Sequence, residues 1–251
     1  MARQIGIVRF QGTIGDLTFL KTRESYEVRQ KSTLSAERIR TDAAFQRTRE
    51  NAAEFGLAGK AGRLIRSNMQ KALKGTATYR LAARIQKDLM AIVQTDGTSP
   101  RGQRCIADGD LQMIQGFDFN AKSNLDTAIY APYEVTIDRV TGEVKVEFAA
   151  FVPIEQLTLP EGATHFKLLS AAGEFDFREL TSNAADADSG ILPIDDNATP
   201  PITLTTPLSA GTTKTILLSL GINFYQRVGG TFYPLKNGNY NAMKLVKVDL
   251  A

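Results

Sequence analysis

The sequence predicts an α+β fold: an N-terminal β-ribbon, an antiparallel helical hairpin, and a C-terminal antiparallel β-sandwich of the immunoglobulin or fibronectin kind. Three observations predict it. Apolar and polar residues alternate over residues 5–31, apolar and small residues recur at helical spacing from Phe45 to Ile92, and a series of strand-like runs divided by turn signals fills residues 111–248. The division that follows is 1–93 for ribbon and hairpin, 94–110 for a linker, and 111–251 for the sandwich.

In the ribbon, IGIVRF (5–10), LTFLKT (17–22) and SYEVRQK (25–31) each alternate, with Gly12 and Gly15-Asp16 breaking the first pair. So small a sheet is marginal alone and must pack on something, either the following helices or a neighbouring subunit. Thr41-Asp42 then offers capping oxygens ahead of Ala43, Ala44 and Phe45. The stripe Phe45, Ala52, Phe55, Gly59, Gly62, Ile65, Met69 and Leu73 fits a helix that Gly75 stops. Thr78 opens a second helix to about Val93, with Leu81, Ile85, Leu89 and Ile92 along one face. The short connection at 74–77 makes the two antiparallel.

Residues 94–110, QTDGTSPRGQRCIADGD, read as the linker. Expected strands follow at 111–119, 133–138, 143–151, 164–172, 175–180, 202–206, 214–228 and 240–248. Turn signals fall at Thr141-Gly142, Gly173, Gly229-Gly230 and Asn237-Gly238-Asn239, and residues 183–190 (NAADADSG) read as an acidic loop.

The run EFGLAGKAGR (54–63) is not a phosphate loop. Gly59-Lys60 is followed by Ala61, and the motif's first glycine would fall on Glu54. Gly56, Gly59 and Gly62 each cost about 1 kcal/mol of helix propensity, so they are expected to serve close helix packing. The single cysteine, Cys105, excludes an intramolecular disulfide and a Cys-based zinc site, and is expected to act as a small hydrophobe. His165, the only histidine, has no partner for a metal site or a Ser/His pair. Asp186/Asp188 and Asp195/Asp196 lack the closing Glu of a calcium loop. No catalytic, metal-ligating or cofactor-binding set is assigned, no cofactor is expected, and no small-molecule substrate is evident. No run reaches the roughly 18 apolar residues of a membrane span. The first residues lack an apolar signal region, so cytoplasmic synthesis without a signal peptide is expected, with release or export as an assembly left open.

The net charge of +3 conceals a split: residues 1–93 hold 18 Lys/Arg against 8 Asp/Glu, and residues 94–251 hold 12 against 19. The basic half concentrates arginine on the helices and their approaches, and Arg suits bidentate contact with carboxylate or phosphate. Arg38, Arg40, Arg47, Arg49, Arg63 and Arg66 are therefore the expected contacts, either to another subunit's acidic half or to a polyanion.

The order GTIGDLTFLKTRESYEVRQK, then TDAAFQRTRENAAEFGLAGKAGRLIR, resembles the N-terminal signature of a family of uncharacterised Bacteroidota proteins. The resemblance covers residues 5–75 and consists of a glycine-rich ribbon, an Arg- and Asn-bearing helix and, in kind only, a β-rich C-terminal part. It implies a bacterial or bacterial-virus setting and carries over no functional residue.

Together these features suggest a non-enzymatic structural subunit that self-assembles head to tail into a filament, tube or virus-like assembly, with the ribbon added to a neighbour. The alternatives are a nucleic-acid-binding or packaging accessory protein using the same arginines, and a monomeric sandwich-type adhesion or scaffolding domain.

Overall fold

The computed structural model describes residues 2–22, 24–32, 34–76, 79–235 and 239–250. The chain divides into two compact units, Met1–Glu50 and Asn51–Ala251. Helices combine with sheets whose strand pairs, among the described residues, are all antiparallel, so the class is α+β.

In the first unit, β1 (Ala2–Arg3), β2 (Gly12–Ile14), β3 (Leu17–Lys21) and β4 (Tyr26–Gln30) form one sheet in the order β1-β4-β3-β2. Residues 5–10, expected as a strand, are not one. The Gln4 side chain donates to the Phe10 carbonyl (3.2 Å) and accepts from the Phe10 amide (2.8 Å), closing the segment into a loop. Ser35 caps α1 (Ala36–Thr41) by accepting from the Arg38 amide. Asp42 caps as expected, accepting from Ala44, but starts a 3-10 turn (Ala43–Phe45) that leads into α2 (Gln46–Asn68).

In the second unit, α2 and α3 (Leu81–Thr95) pack on one face of a long sheet, and a small sheet packs on the other. The small sheet joins β5 (Tyr133–Asp138), β6 (Glu143–Phe148) and β10 (Ile202–Pro207) in the order β10-β6-β5. The long sheet centres on β7 (His165–Asp176) and β11 (Thr215–Val228). β8 (Thr181–Asp188) and β9 (Leu192–Pro193) flank β7, while β12 (Thr231–Pro234) and β13 (Ala242–Asp249) flank β11. Side chains alternate across a strand. Along β11, Leu217 joins the helix-side core and the Ser219 hydroxyl donates to Met69 Sδ (3.2 Å). Ile216, Leu218, Leu220, Ile222 and Phe224 enter the other core with Val144, Val146, Phe148, Ile202 and Leu204. Covering both faces explains why successive residues are buried through Leu168–Phe175 of β7 and Ile216–Phe224 of β11.

Several expectations change. Residues 165–176 form one strand, β7, running through the break expected between 172 and 175, because Gly173 pairs opposite Leu217 in mid-strand and makes no turn; the rest of the expected strand 175–180, residues 177–180, is itself the turn into β8. Residues 183–188 of the expected acidic loop lie in β8, paired along β7 from Asp176↔Thr181 to Leu169↔Asp188. Residues 111–119 hold no strand: Asp110 caps a 3-10 helix (Leu111–Ile114), and 116–119 run beside β13 through Gly116 N to Leu245 O (2.8 Å) and Phe119 N to Met243 O (2.8 Å). The expected linker is folded into the second unit, with Ile106 buried in the helix-side core. Gly142 and Gly229-Gly230 do turn the chain at positive φ. The turn at 237–238 and the helix start at Thr78 lie outside the described residues.

Candidate interaction surfaces

The six arginines singled out by sequence are divided between the units. In the first, Arg38 pairs with Asp42 (3.2 Å) and Arg47 with Glu50 (3.0 Å), both on the surface, and Arg40 is exposed. Arg49 is half-buried, and its Nη1 donates to the carbonyls of Ile39 and Asp42 (2.8 Å each), so it secures the end of α1.

Arg63 and Arg66 lie in the second unit and line one cleft. Its volume is about 850 Å³, and its walls also carry Ser67, Gln70, Lys71, Lys74 and Arg80, with Leu73, Leu81 and Ala82 as apolar surface. The cleft forms where α2 ends and α3 begins. Arg66 Nε donates to the Gly62 carbonyl (3.1 Å), and Lys71 pairs with Asp186 (3.0 Å). Among the described residues, Arg63, Arg66 and Lys74 make no ion pair.

Of the three glycines, two meet the second helix. A Cβ on Gly62 would stand 3.1 Å from Ile85 Cγ2, and one on Gly59 would stand 2.9 Å from Gln86 Nε2, which itself donates to the Phe55 carbonyl (2.9 Å). A Cβ on Gly56 would meet nothing within 4 Å, so close packing does not explain that position.

The first unit presents a different surface. None of its described residues is buried. Ile5, Ile7, Val8, Phe10 and Ile14 are 93, 105, 68, 51 and 63 % exposed.

Sequence reasoning passed over the ionic centre of the second unit. Glu54 is buried on α2, its carboxylate gripped by Arg104 (Nε–Oε1 2.7 Å, Nη2–Oε2 2.8 Å) and by the Gly102 amide (2.7 Å). The Arg104 contact holds its carboxyl below the usual glutamate range. The available signal was its isolation: Glu54 is the single acid of residues 51–87, which hold eight Lys/Arg. Asp96 anchors the same loop, accepting from the Thr98 amide and hydroxyl, the Ser99 amide and the Cys105 amide, which keep its carboxyl far below the usual aspartate range. Cys105 is half-buried rather than a plain core hydrophobe, and its thiol donates to Asp108 (2.9 Å), which Arg178 also contacts (2.6 Å). Asp96, Cys105 and Asp108 could each offer a ligand atom within 4.8 Å of the others. Their oxygens are already committed to these donors, which suits a loop clamp. His165 opens β7 with Nδ1 against the Thr164 hydroxyl (2.8 Å) and its ring edge-on to Phe232. Among the described residues, no helix is long and apolar enough to cross a membrane.

No protein-family model and no curated protein matches the chain. Among solved structures, the reeler domain of human F-spondin aligns over 50% of this chain and 98% of its own, at 7% identity and a TM-score of 0.16, too low to place the fold.

Proposed function

We propose that the protein is a non-enzymatic structural subunit that self-assembles head to tail, its N-terminal ribbon adding to a neighbouring subunit. The observation that carries this reading is the coreless first unit. A small sheet stands only when an apolar face is covered, yet Ile14 of β2 and Ile5, Ile7, Val8 and Phe10 of the adjoining loop are all exposed. Covering a large aliphatic or aromatic side chain is worth about 1.5–3 kcal/mol, so these five supply on the order of 10 kcal/mol to an interface. Charge supports the orientation: the first unit holds ten Lys/Arg against six Asp/Glu and the second twenty against twenty-one, so the basic first unit is attracted to acidic surface on another copy, and such a heterologous contact closes into a ring or propagates as a filament or tube. In this reading α2 and α3 act as an antiparallel hairpin, and the two sheets act as an immunoglobulin- or fibronectin-like sandwich. A virus-like assembly fits the same geometry of repeated contact.

Light scattering and negative-stain microscopy of purified protein test it. The full chain should form rings or filaments at low ionic strength, and assembly should weaken as salt rises, because charge attraction is screened over about 10 Å at 0.1 M. Removal of residues 1–31 should leave a soluble monomer. Equal assembly by the truncated chain would refute the strand-addition mechanism. A single monomeric species for the full chain under every condition would favour the adhesion or scaffolding alternative.

A further inference from the structure

We propose that the cleft at the junction of α2 and α3 binds a phosphate-bearing ligand of nucleotide size, either a free nucleotide or one unit of a nucleic-acid strand. This goes beyond self-assembly and does not depend on it, since the cleft lies wholly in the second unit.

Among the described residues, five cationic side chains (Arg63, Arg66, Lys71, Lys74 and Arg80) line the cleft, and no acid does. Of these, Arg63, Arg66 and Lys74 lack an ion-pair partner among the described residues, while Lys71 meets Asp186. Like charges held together in a concave site repel one another, and a bound anion relieves that repulsion. Arg63 and Arg66 are three residues apart on α2, hence on one face. The bond from Arg66 Nε to Gly62 anchors its guanidinium, the planar fork that suits a phosphate.

The start of α3 reinforces the field. Leu81 and Ala82, its first two residues, line the same cleft. The N-cap residue is Arg80 in the left-handed conformation (φ 51°), and arginine has no acceptor with which to cap the helix amides. The positive end of the helix is thus added to the side-chain charge.

The rest of the lining narrows the ligand class. Leu73, Leu81 and Ala82 offer apolar surface against which a ring can lie, and Ser67 and Gln70 offer hydrogen bonds at the wall. The volume of about 850 Å³ exceeds what a lone phosphate needs and suits a phosphate carrying an organic group. A nucleotide joins these two chemistries.

The test is titration of the full chain with a fluorescent nucleoside triphosphate, a fluorescent single-stranded oligonucleotide and a fluorescent polyglutamate peptide. The proposal expects saturable binding of at least one phosphate probe and much weaker binding of polyglutamate. Arg63→Gln with Arg66→Gln should lower that affinity by about 100-fold, as expected for two lost charge-assisted contacts. Lys74→Gln alone should give a smaller loss, about tenfold. Lys60→Gln, an exposed lysine of α2 that does not line the cleft, should change affinity by less than about twofold. Thermal melts establish that each variant is folded. Preference for the triphosphate identifies a free nucleotide, and preference for the oligonucleotide identifies a strand. The proposal is overturned if neither phosphate probe binds, if Lys60→Gln weakens binding as much as the cleft variants do, or if polyglutamate binds as tightly as the phosphates. The last result would assign the cleft to acidic protein.

Discussion

Glu54 is surrounded in sequence by cations, yet its buried carboxylate is gripped by Arg104, fifty positions away. Removing one partner of a buried pair leaves the other without compensation. Glu54→Ala should therefore destabilise the second unit by about 3 kcal/mol in urea unfolding, the lower end for such pairs because Arg104 keeps a route to water. The pH dependence has a definite sign. The folded-state pKa of Glu54 is depressed below the ordinary value of 4.5, first by the Arg104 hydrogen bond. Its contribution is thus full above pH 4.5 and is lost as pH falls through the folded value. Glu54→Gln should show a shallower loss of stability over that acidic range than the parent chain. An unchanged acid slope would mean that the pair contributes nothing to folding. Among the arginines, sequence weighed Arg49 with its neighbours, and the structure shows it bonded to two carbonyls of its own unit.

At the scale of elements, α2 separates three glycines that look alike in sequence. Gly56→Ala gains helix propensity with no contact to displace, and should raise stability by up to about 1 kcal/mol. Gly62→Leu must force its side chain against Ile85 and Leu89, and should lower stability by about 2 kcal/mol. Chemical denaturation of the pair checks both, and the opposite signs are the point of the comparison. The long sheet carries the same logic: a Cβ on Gly221 would come within 2.9 Å of the Ala242 carbonyl, where backbone leaves little room to yield. Helical period showed that α2 and α3 exist and which face α3 buries, but on α2 it pointed to Ala52 and Phe55, which are exposed, while Glu54, Ala58 and Ala61 are buried beside Gly62 and Ile65. It could not show which glycine meets a neighbour, because that depends on where the partner helix lies.

At the scale of the molecule, the described buried residues all fall in Asn51–Ala251, in two cores on either side of one sheet. A chain beginning at residue 46, the first of α2, should therefore fold by itself and melt cooperatively with a midpoint near that of the full protein. It should also fail to assemble. A collapse of its thermal transition would show that the first unit is needed to complete the second. Because the phosphate cleft lies in the retained unit, the shortened chain should still bind the phosphate probe, which separates the two proposed roles in one preparation.

Local chemistry by itself determined the α+β class and the span of β5, and came within a residue of β10 and β11. It also determined the Asp42 cap and the turns at Gly142 and Gly229-Gly230. These follow from period, capping oxygens and positive φ, all of which act within a few residues. Tertiary structure decided the rest. Residues 183–188 are polar enough for a loop and become a strand because β7 offers them a ladder. Gly173 resembles a turn and lies in mid-strand because Leu217 faces it. The segment at 94–110 resembles a linker and folds because Glu54 and Asp96 supply acceptors for its backbone. In each case a distant partner satisfies groups that local sequence leaves open, and burial of those groups makes the partner obligatory.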